Sequence, residues 1–343
     1  MSREFVFAQH LCPHTFVSIP HRFVYVAVPK AACTTLKWWF SDLMGVSARV
    51  RQFPFSTESL PELTVHDSLP ATCPELTGLH HASLHAAWTG HGYLRFAFVR
   101  NPYRRLFSAW QSKWLQHEWL QCAPYATAPF LHAPLRTAED LPRAFEAFLE
   151  HLRAHEFPHL RDSHVIPQTQ WLALSHMHYD HLFQMEQAQQ AVQILGAHIG
   201  PAFRDPLQGE RANPSLLPYE PAMFTARSAE LTREMYADDF SRLNYSTELP
   251  RASRALTKEA LEMAINAVGL LRAKNASMQR MRPFVDSAKQ HAMQMAGQAP
   301  AAIAQPVVTG AASAGVPASR QWSIGATSVG AAGYGIRPRF DRK

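Results

Sequence analysis

Two apolar runs stand out from an otherwise mixed pattern of hydrophobic and polar positions, and each is followed at once by helix signals. The first, Phe23-Val24-Tyr25-Val26-Ala27-Val28, carries no charge, which predicts a strand buried on both faces of a parallel sheet. It stops at Pro29-Lys30, and across residues 34–44 Leu36, Trp39, Phe40 and Leu43 then recur on a helical period. The second run, Leu94-Arg95-Phe96-Ala97-Phe98-Val99, is less uniform but of the same kind. Asn101 follows as an N-cap, Pro102 as a first helical residue, and Leu106, Trp110 and Trp114 at four-residue spacing. Strand, turn and helix used twice predict a layered α/β fold with a central parallel sheet flanked by helices.

The rest of the pattern is weaker. Residues 45–93 read as irregular, rich in Pro, His and Ser. Leu141, Phe145, Phe148, Leu149 and Leu152 predict a helix over 137–157, residues 181–185 a third short strand, and residues 222–243 a helix. Residues 254–296 suit one or two Ala/Met-rich amphipathic helices. From 297 onward the chain is Ala, Gly, Ser, Pro and Val with few large apolar groups; too little can be buried to offset the entropy of ordering, and disorder is expected. The predicted domains are therefore 1–250, a helical extension over 251–296 and a tail over 297–343.

Charge sharpens this division. The 343 residues carry a net +6, but residues 251–343 hold 13 Lys/Arg against 4 Asp/Glu, a net of +9, which leaves −3 for residues 1–250. The basic balance belongs to the C-terminal part, and the body is not a nucleic-acid binder by composition. The four cysteines, Cys12, Cys33, Cys73 and Cys122, show neither CxxC spacing nor a disulfide framework. No apolar stretch approaches the ~20 residues of a membrane helix. Arg3, Glu4, His10, Pro13 and His14 interrupt the first twenty residues as no signal peptide would allow. A cytoplasmic protein is expected, its basic C-terminal part suited to an anionic inner-membrane face.

The candidate chemistry lies in the two turns. Pro29-Lys30-Ala31-Ala32-Cys33-Thr34-Thr35 presents backbone N–H groups at the positive end of a helix, beside small side chains, two hydroxyls and a mobile cation. A Walker A loop would need GxxxxGK followed by Ser or Thr; here Lys precedes the small residues and glycine is missing, which argues against an ATP or GTP loop. In the second turn Arg100 sits at the carboxyl end of a strand, where open α/β sheets bind ligands, and its guanidinium can take a phosphate with two parallel hydrogen bonds. Ser108 lies two helical turns on, while Arg104 and Arg105 read as structural or solvated.

Together and in this order, the two turns resemble those of the sulfotransferase superfamily that uses PAPS (phosphoadenosine phosphosulfate). The likeness is nearest to the carbohydrate branch, sulfotransferase family 2, with the Golgi chondroitin, dermatan and heparan 2-O enzymes. Further stretches resemble that branch: Arg161-Asp162-Ser163-His164-Val165-Ile166-Pro167-Gln168, then Tyr179-Asp180 with Glu186. Asn213-Pro214-Ser215, Tyr236-Ala237-Asp238-Asp239-Phe240 and Leu243-Asn244-Tyr245 continue the likeness, so that it spans residues 20–246. It implies a P-loop-NTPase-like three-layer fold. It further implies transfer of a sulfuryl group from PAPS to a carbohydrate or glycolipid hydroxyl, releasing PAP, without a metal.

By the same resemblance, Lys30, Ala31, Ala32, Cys33, Thr34 and Thr35 would hold the 5′-phosphosulfate, with Lys30 on the leaving phosphate, and Arg100 and Ser108 would hold the 3′-phosphate. The acceptor proton needs a base; His81 matches a histidine-bearing segment of the heparan 2-O type best, His80 second, with His164 the rival. His164, Asn213 and Ser215 are candidate acceptor contacts. The clusters His151, His155, His159 and His176, His178, His181 lack the cysteine or carboxylate partners of a metal site and read as solvated faces. Two other readings fit the same turns: a nucleotide kinase of related fold, and a non-catalytic glycan-binding relative.

Overall fold

The computed structural model describes residues 7–54, 56, 58, 60–208, 215–252 and 257–298, with side chains as far as 288. The chain forms two units, Met1–Met293 and Gln294–Lys343, and the second lies almost wholly outside the described residues, as does the tail expected to be disordered.

The first unit is built on a four-stranded sheet, β1 (Thr15–Ser18), β2 (Phe23–Val26), β3 (Leu94–Val99) and β4 (His181–Gln184), in that spatial order. The three predicted strands are present and mutually parallel, with Val24 opposite Arg95 and Phe96 opposite His181. The sheet is not wholly parallel: β1, which the pattern did not reveal, adds an antiparallel edge with Thr15 opposite Val26. Its four residues, Thr-Phe-Val-Ser, are all buried, so no polar alternation marks them.

Aromatic side chains dominate the buried sheet. Phe23 stacks on Trp39 at 5.8 Å, and Tyr25 stacks on Phe16 and Phe96 at 5.9 and 5.4 Å. Burying each such ring stabilises the fold by about 1.5–3 kcal/mol. Trp39 belongs to α1 (Cys33–Leu43), the helix that follows the first turn. The segment read as irregular instead holds three short helices, α2 (Ser47–Arg51), α3 (Val65–Thr72) and α4 (His81–Thr89). They are too brief to show a period, and Pro70 lies inside α3.

A second apolar cluster packs α5 (Pro102–Trp110) against α7 (Asp140–His155) and α10 (Ala226–Met235), with the one-turn α6 (Trp119–Cys122) nearby in the chain. The one-turn α8 (Gln168–Trp171) precedes β4, and α9 (Ala188–Ile199) follows it. The helix expected over 222–243 is broken at Tyr236 into α10 and α11 (Ala237–Arg242). The last helix, α12 (Lys258–Gln298), is a single continuous one. Among the described residues no helix is long and apolar enough to cross a membrane.

Candidate active site

The parallel register of β2 and β3 carries both turns to the same edge of the sheet. There Arg100 Nη1 donates to the backbone carbonyl of Lys30 at 3.2 Å, so the two predicted anion sites adjoin. The first turn takes a glycine-like path without glycine: Lys30 and Ala32 both have left-handed backbones, with φ of 68° and 57°. Each costs about 1–2 kcal/mol, strain that a loop tolerates when a ligand needs its shape. Ala32 is the N-cap of α1 and offers no side-chain acceptor, and no acidic residue occupies the first turn. The N–H groups of that turn are left for an external anion.

Lys30 is half-buried, and its Nζ donates to Ser112 Oγ. Ser112 lies where α5 gives way to a π-turn over Gln111–Leu115, which also bears Lys113. Such an extra residue in a helix is frequent at functional sites. Burial, with Lys113 and Arg100 close by, pulls the Lys30 ammonium down to about 7. An anion at the loop would restore the charged form. From this follows a pH dependence. Between pH 7 and 9 the free protein would take up a proton at Lys30 on binding a phosphate ligand such as PAP there, so affinity for it should fall by up to tenfold per pH unit. Below pH 7 the proton is already present and this dependence disappears. Titration calorimetry across this range checks it, and Lys30→Ala should flatten the slope.

A web of buried bonds fixes Arg100 and the segment behind it. Gln168 bonds the backbone of Arg100 twice, Arg100 N to Oε1 at 2.9 Å and Nε2 to the carbonyl at 2.8 Å. Asp239 on α11 accepts from Gln168 N, Thr169 N and Thr169 Oγ1, each at 2.8 Å. Glu186 accepts from Asn101 N and from Tyr245 OH, both at 3.1 Å. Arg105 is fully buried and donates to the carbonyls of Pro29, Ile166 and Ser163 at 3.0, 2.9 and 3.2 Å. Six of the residues that carried the sequence resemblance beyond the two turns, Ser163, Ile166, Gln168, Glu186, Asp239 and Tyr245, thus take part in holding the turns in place. Arg105 is structural, as expected, whereas Arg104 lies over the Tyr219 ring at 4.7 Å.

The three candidate histidines have different surroundings. His80 is exposed and caps α4, its Nδ1 2.7 Å from Ser83 Oγ, and His81 is the exposed first residue of that helix. Among the described residues no bond joins either to Lys30, Arg100 or the loop. His164 is different. Its Nδ1 lies 2.8 Å from Asp162 Oδ1, and the two side chains are equally shielded. Burial lowers His164 to about 4 against the pull of Asp162, with Lys113 and Lys30 adding to the fall. It stands within the field of Lys30, neutral, with Nδ1–H directed to a carboxylate.

Thr34 and Ser108 are buried and Thr35 and Cys33 partly so, while Ala31 is buried under the loop. A cleft of about 630 Å³ opens beside Thr35, bordered by Trp38, Trp39, Arg51 and Arg204. Ser215 is exposed, and Asn213 lies outside the described residues. His151 packs on Phe130 at 4.8 Å, and His155, His159, His176 and His178 are exposed. Among the described residues no cluster of three His, Cys, Asp or Glu could hold a metal.

Four groups escaped the sequence reading. Lys113 sits in a π-turn, which no hydrophobic period reveals. Lys37 is buried and His66 half-buried beside Thr34, and Asp162 pairs with His164. Asp162 alone had a signal, its place two residues before a candidate histidine.

A mostly parallel α/β sheet with two adjoining, cation-bearing turns at the carboxyl ends of its strands defines the class of protein to which this chain belongs. Residues 13–246 match the profile described as "Sulfotransferase family", and the chain belongs to that family. It is similar to zebrafish (Danio rerio) carbohydrate sulfotransferase 14, 34% identical over 103 residues, 30% of this chain and 24% of the relative. It is also similar to carbohydrate sulfotransferase 10 of the same fish, 26% identical over 146 residues, 40% of this chain and 37% of the relative. The frog (Xenopus laevis) carbohydrate sulfotransferase 10 is 30% identical over 102 residues, 30% of this chain and 26% of its own. The chain thus spans between a quarter and just over a third of these relatives. No solved structure matches it.

Proposed function

We propose that the protein transfers the sulfuryl group of PAPS to a hydroxyl of a carbohydrate or glycoconjugate. One observation carries this reading: Arg100, from the second turn, rests on the backbone of Lys30 in the first. Cations and helix N–H groups therefore converge where a donor with phosphates at both ends would lie. Thr34, Thr35 and the first-turn amides suit the 5′-phosphate, and Arg100 and Ser108 the 3′-phosphate, which distinguishes PAPS from adenylyl sulfate. The carbohydrate acceptor rests on the names of the matched relatives.

In the transfer, the acceptor oxygen bonds to sulfur as the bond from sulfur to the bridging phosphate oxygen breaks. Lys30 neutralises the charge that the departing phosphate gains, which is the kind of stabilisation that dominates such steps. Lys113, whose charge acts on Lys30, His164 and Asp162, adds positive potential around the sulfuryl oxygens. The acceptor proton passes to His164, whose Nε2 lone pair is free when Asp162 holds the proton on Nδ1, the arrangement that orients a catalytic base. Exposed His80 and His81 are better assigned to the helix cap than to this role.

His164→Ala should lower kcat by about 10²–10⁴-fold and leave PAP affinity within about twofold. His81→Ala should leave both near the parent values. A loss confined to His81→Ala returns the role to that residue. The reading as a whole is tested by incubating the protein with radiolabelled PAPS and a panel of glycans, and by calorimetry. Metal-free binding of PAP is expected; binding of Mg-ATP without PAP would favour a kinase, and PAP binding without transfer to any hydroxyl a glycan-binding relative. A cytoplasmic location belongs to the same proposal, and cell fractionation checks it.

A further inference from the structure

Behind the first turn lies a partly buried chain of three polar side chains, two of which, Lys37 and His66, have no part in the mechanism above. Lys37 Nζ is 2.9 Å from His66 Nδ1, and His66 Nε2 is 2.9 Å from Thr34 Oγ1. Lys37 is only 2% exposed, lies one helical turn after Thr34, and makes no ion pair among the described residues. A buried cation that faces no carboxylate is costly and calls for a reason.

Hydrogen-bond valence supplies one. An ammonium carries donors only, so His66 Nδ1 must accept from Lys37. The imidazole is neutral, because burial first, then Lys37 and Lys113, hold it well below its ordinary range. Its one proton therefore sits on Nε2 and is donated to Thr34 Oγ1. The threonine oxygen accepts there, and its own hydroxyl proton has to point elsewhere. Thr34 is the second residue of α1, in the turn whose N–H groups lack a cap. Burial lowers the Lys37 ammonium from its ordinary range, Cys33, Glu58 and Asp67 work against that fall, and the Phe16 ring lies 5.4 Å from Nζ, where it favours the charged form. Were Lys37 neutral, the opposite tautomer would let Thr34 donate to His66 and its proton would be spent.

We propose that Lys37 and His66 are positioning residues that fix Thr34 as a hydrogen-bond donor to a phosphate at the loop and convey positive charge to it through a neutral imidazole. This rests on the reading of the loop as a phosphate site. It differs from the roles of Lys30 and Arg100, which touch the donor directly.

The test separates the two levels. PAP affinity is measured by calorimetry for the parent chain, Thr34→Val, His66→Ala and the double variant, each checked for folding by circular dichroism. In the parent background, His66→Ala should weaken PAP binding about tenfold, the worth of one hydrogen bond to an anion. In the Thr34→Val background the same change should cost less than about twofold, since its effect passes through the hydroxyl. An equal loss in both backgrounds would reduce His66 to a packing role and overturn the inference while leaving the phosphate site intact. No PAP binding by the parent chain would overturn the phosphate site itself. Nitrogen-15 NMR of the imidazoles in the unaltered chain gives a readout that needs no variant to fold. His66 should carry its proton on Nε2 at neutral pH, and a proton on Nδ1 would refute the relay.

Discussion

Lys30→Ala is expected to lower sulfuryl transfer by about 10³-fold or more while weakening PAP binding only about tenfold. The asymmetry follows from where the charge is needed. On the function proposed above, the ground-state phosphates would be shared among the α1 amides, Thr34, Thr35, Arg100 and Ser108, so that one cation is a modest part of the total. In the transition state the bridging oxygen gains charge that only a mobile cation beside the loop can meet. Lys30 is built for this: its backbone is held in a left-handed bend, and its ammonium is tethered to Ser112 across the cleft. Burial has already brought it near neutrality, which makes its charge responsive to the anion. Single-turnover rates with PAPS, set against PAP affinity, check the split. Equal losses in both would make Lys30 a ground-state ligand only. Unchanged transfer would place the reaction elsewhere.

Arg105→Met should unfold the protein more easily than any surface change and disorder both turns together. The guanidinium, 1% exposed, satisfies three backbone carbonyls from two distant segments. Methionine keeps much of the bulk but leaves those oxygens buried without donors. Loss of such a buried charged partner costs about 3–5 kcal/mol. At about 2–4 °C per kcal/mol for a chain approaching this size, the melting temperature should fall by roughly 10 °C. Because Pro29 precedes Lys30 and Ser163 precedes His164, the surviving folded fraction should also show weaker PAP binding and slower turnover. A melting temperature within about 2 °C of the parent would mean that water replaces the guanidinium, and that the turns are held by the Gln168–Asp239 bonds instead.

The two turns were legible because their signals are local. An uncharged apolar run, a small-residue turn and a helical period occupy about twenty consecutive residues, and each element can be read without knowing its neighbours. The cap at Asn101 was equally plain, and Tyr103 N donates to its side chain at 3.1 Å as that role requires. Strand β1 and helices α2–α4 carry no such neighbouring signals: β1 has polar residues at both ends, and the helices lie in a stretch rich in Pro and His, with Pro70 inside α3. The break at Tyr236 was hidden because the apolar pattern runs on through it. Only the fold shows that its hydroxyl is needed by the carbonyl of Val165.

The base shows where local reading ends. His80, His81 and His164 are alike as letters; ranking them by resemblance places His81 first, whereas the proposal made here chooses His164 by its surroundings. What distinguishes them is which neighbour each acquires. A helix end takes up His80, while a carboxylate two residues away and two lysines from other elements surround His164. The same holds for Lys37, which reads as an ordinary surface lysine until His66, 29 residues on, closes over it. By itself, the sequence determined the parallel core, the two strand-to-helix turns and the family. Strand burial, helix starts and small-residue turns are short-range properties, written in adjacent positions. Only the tertiary structure decided that Arg100 meets the backbone of Lys30, that His164 pairs with Asp162, and that Lys37, His66 and Thr34 form one chain. Those depend on distance, burial and hydrogen-bond valence between residues that strand pairing brings together from far apart in the chain.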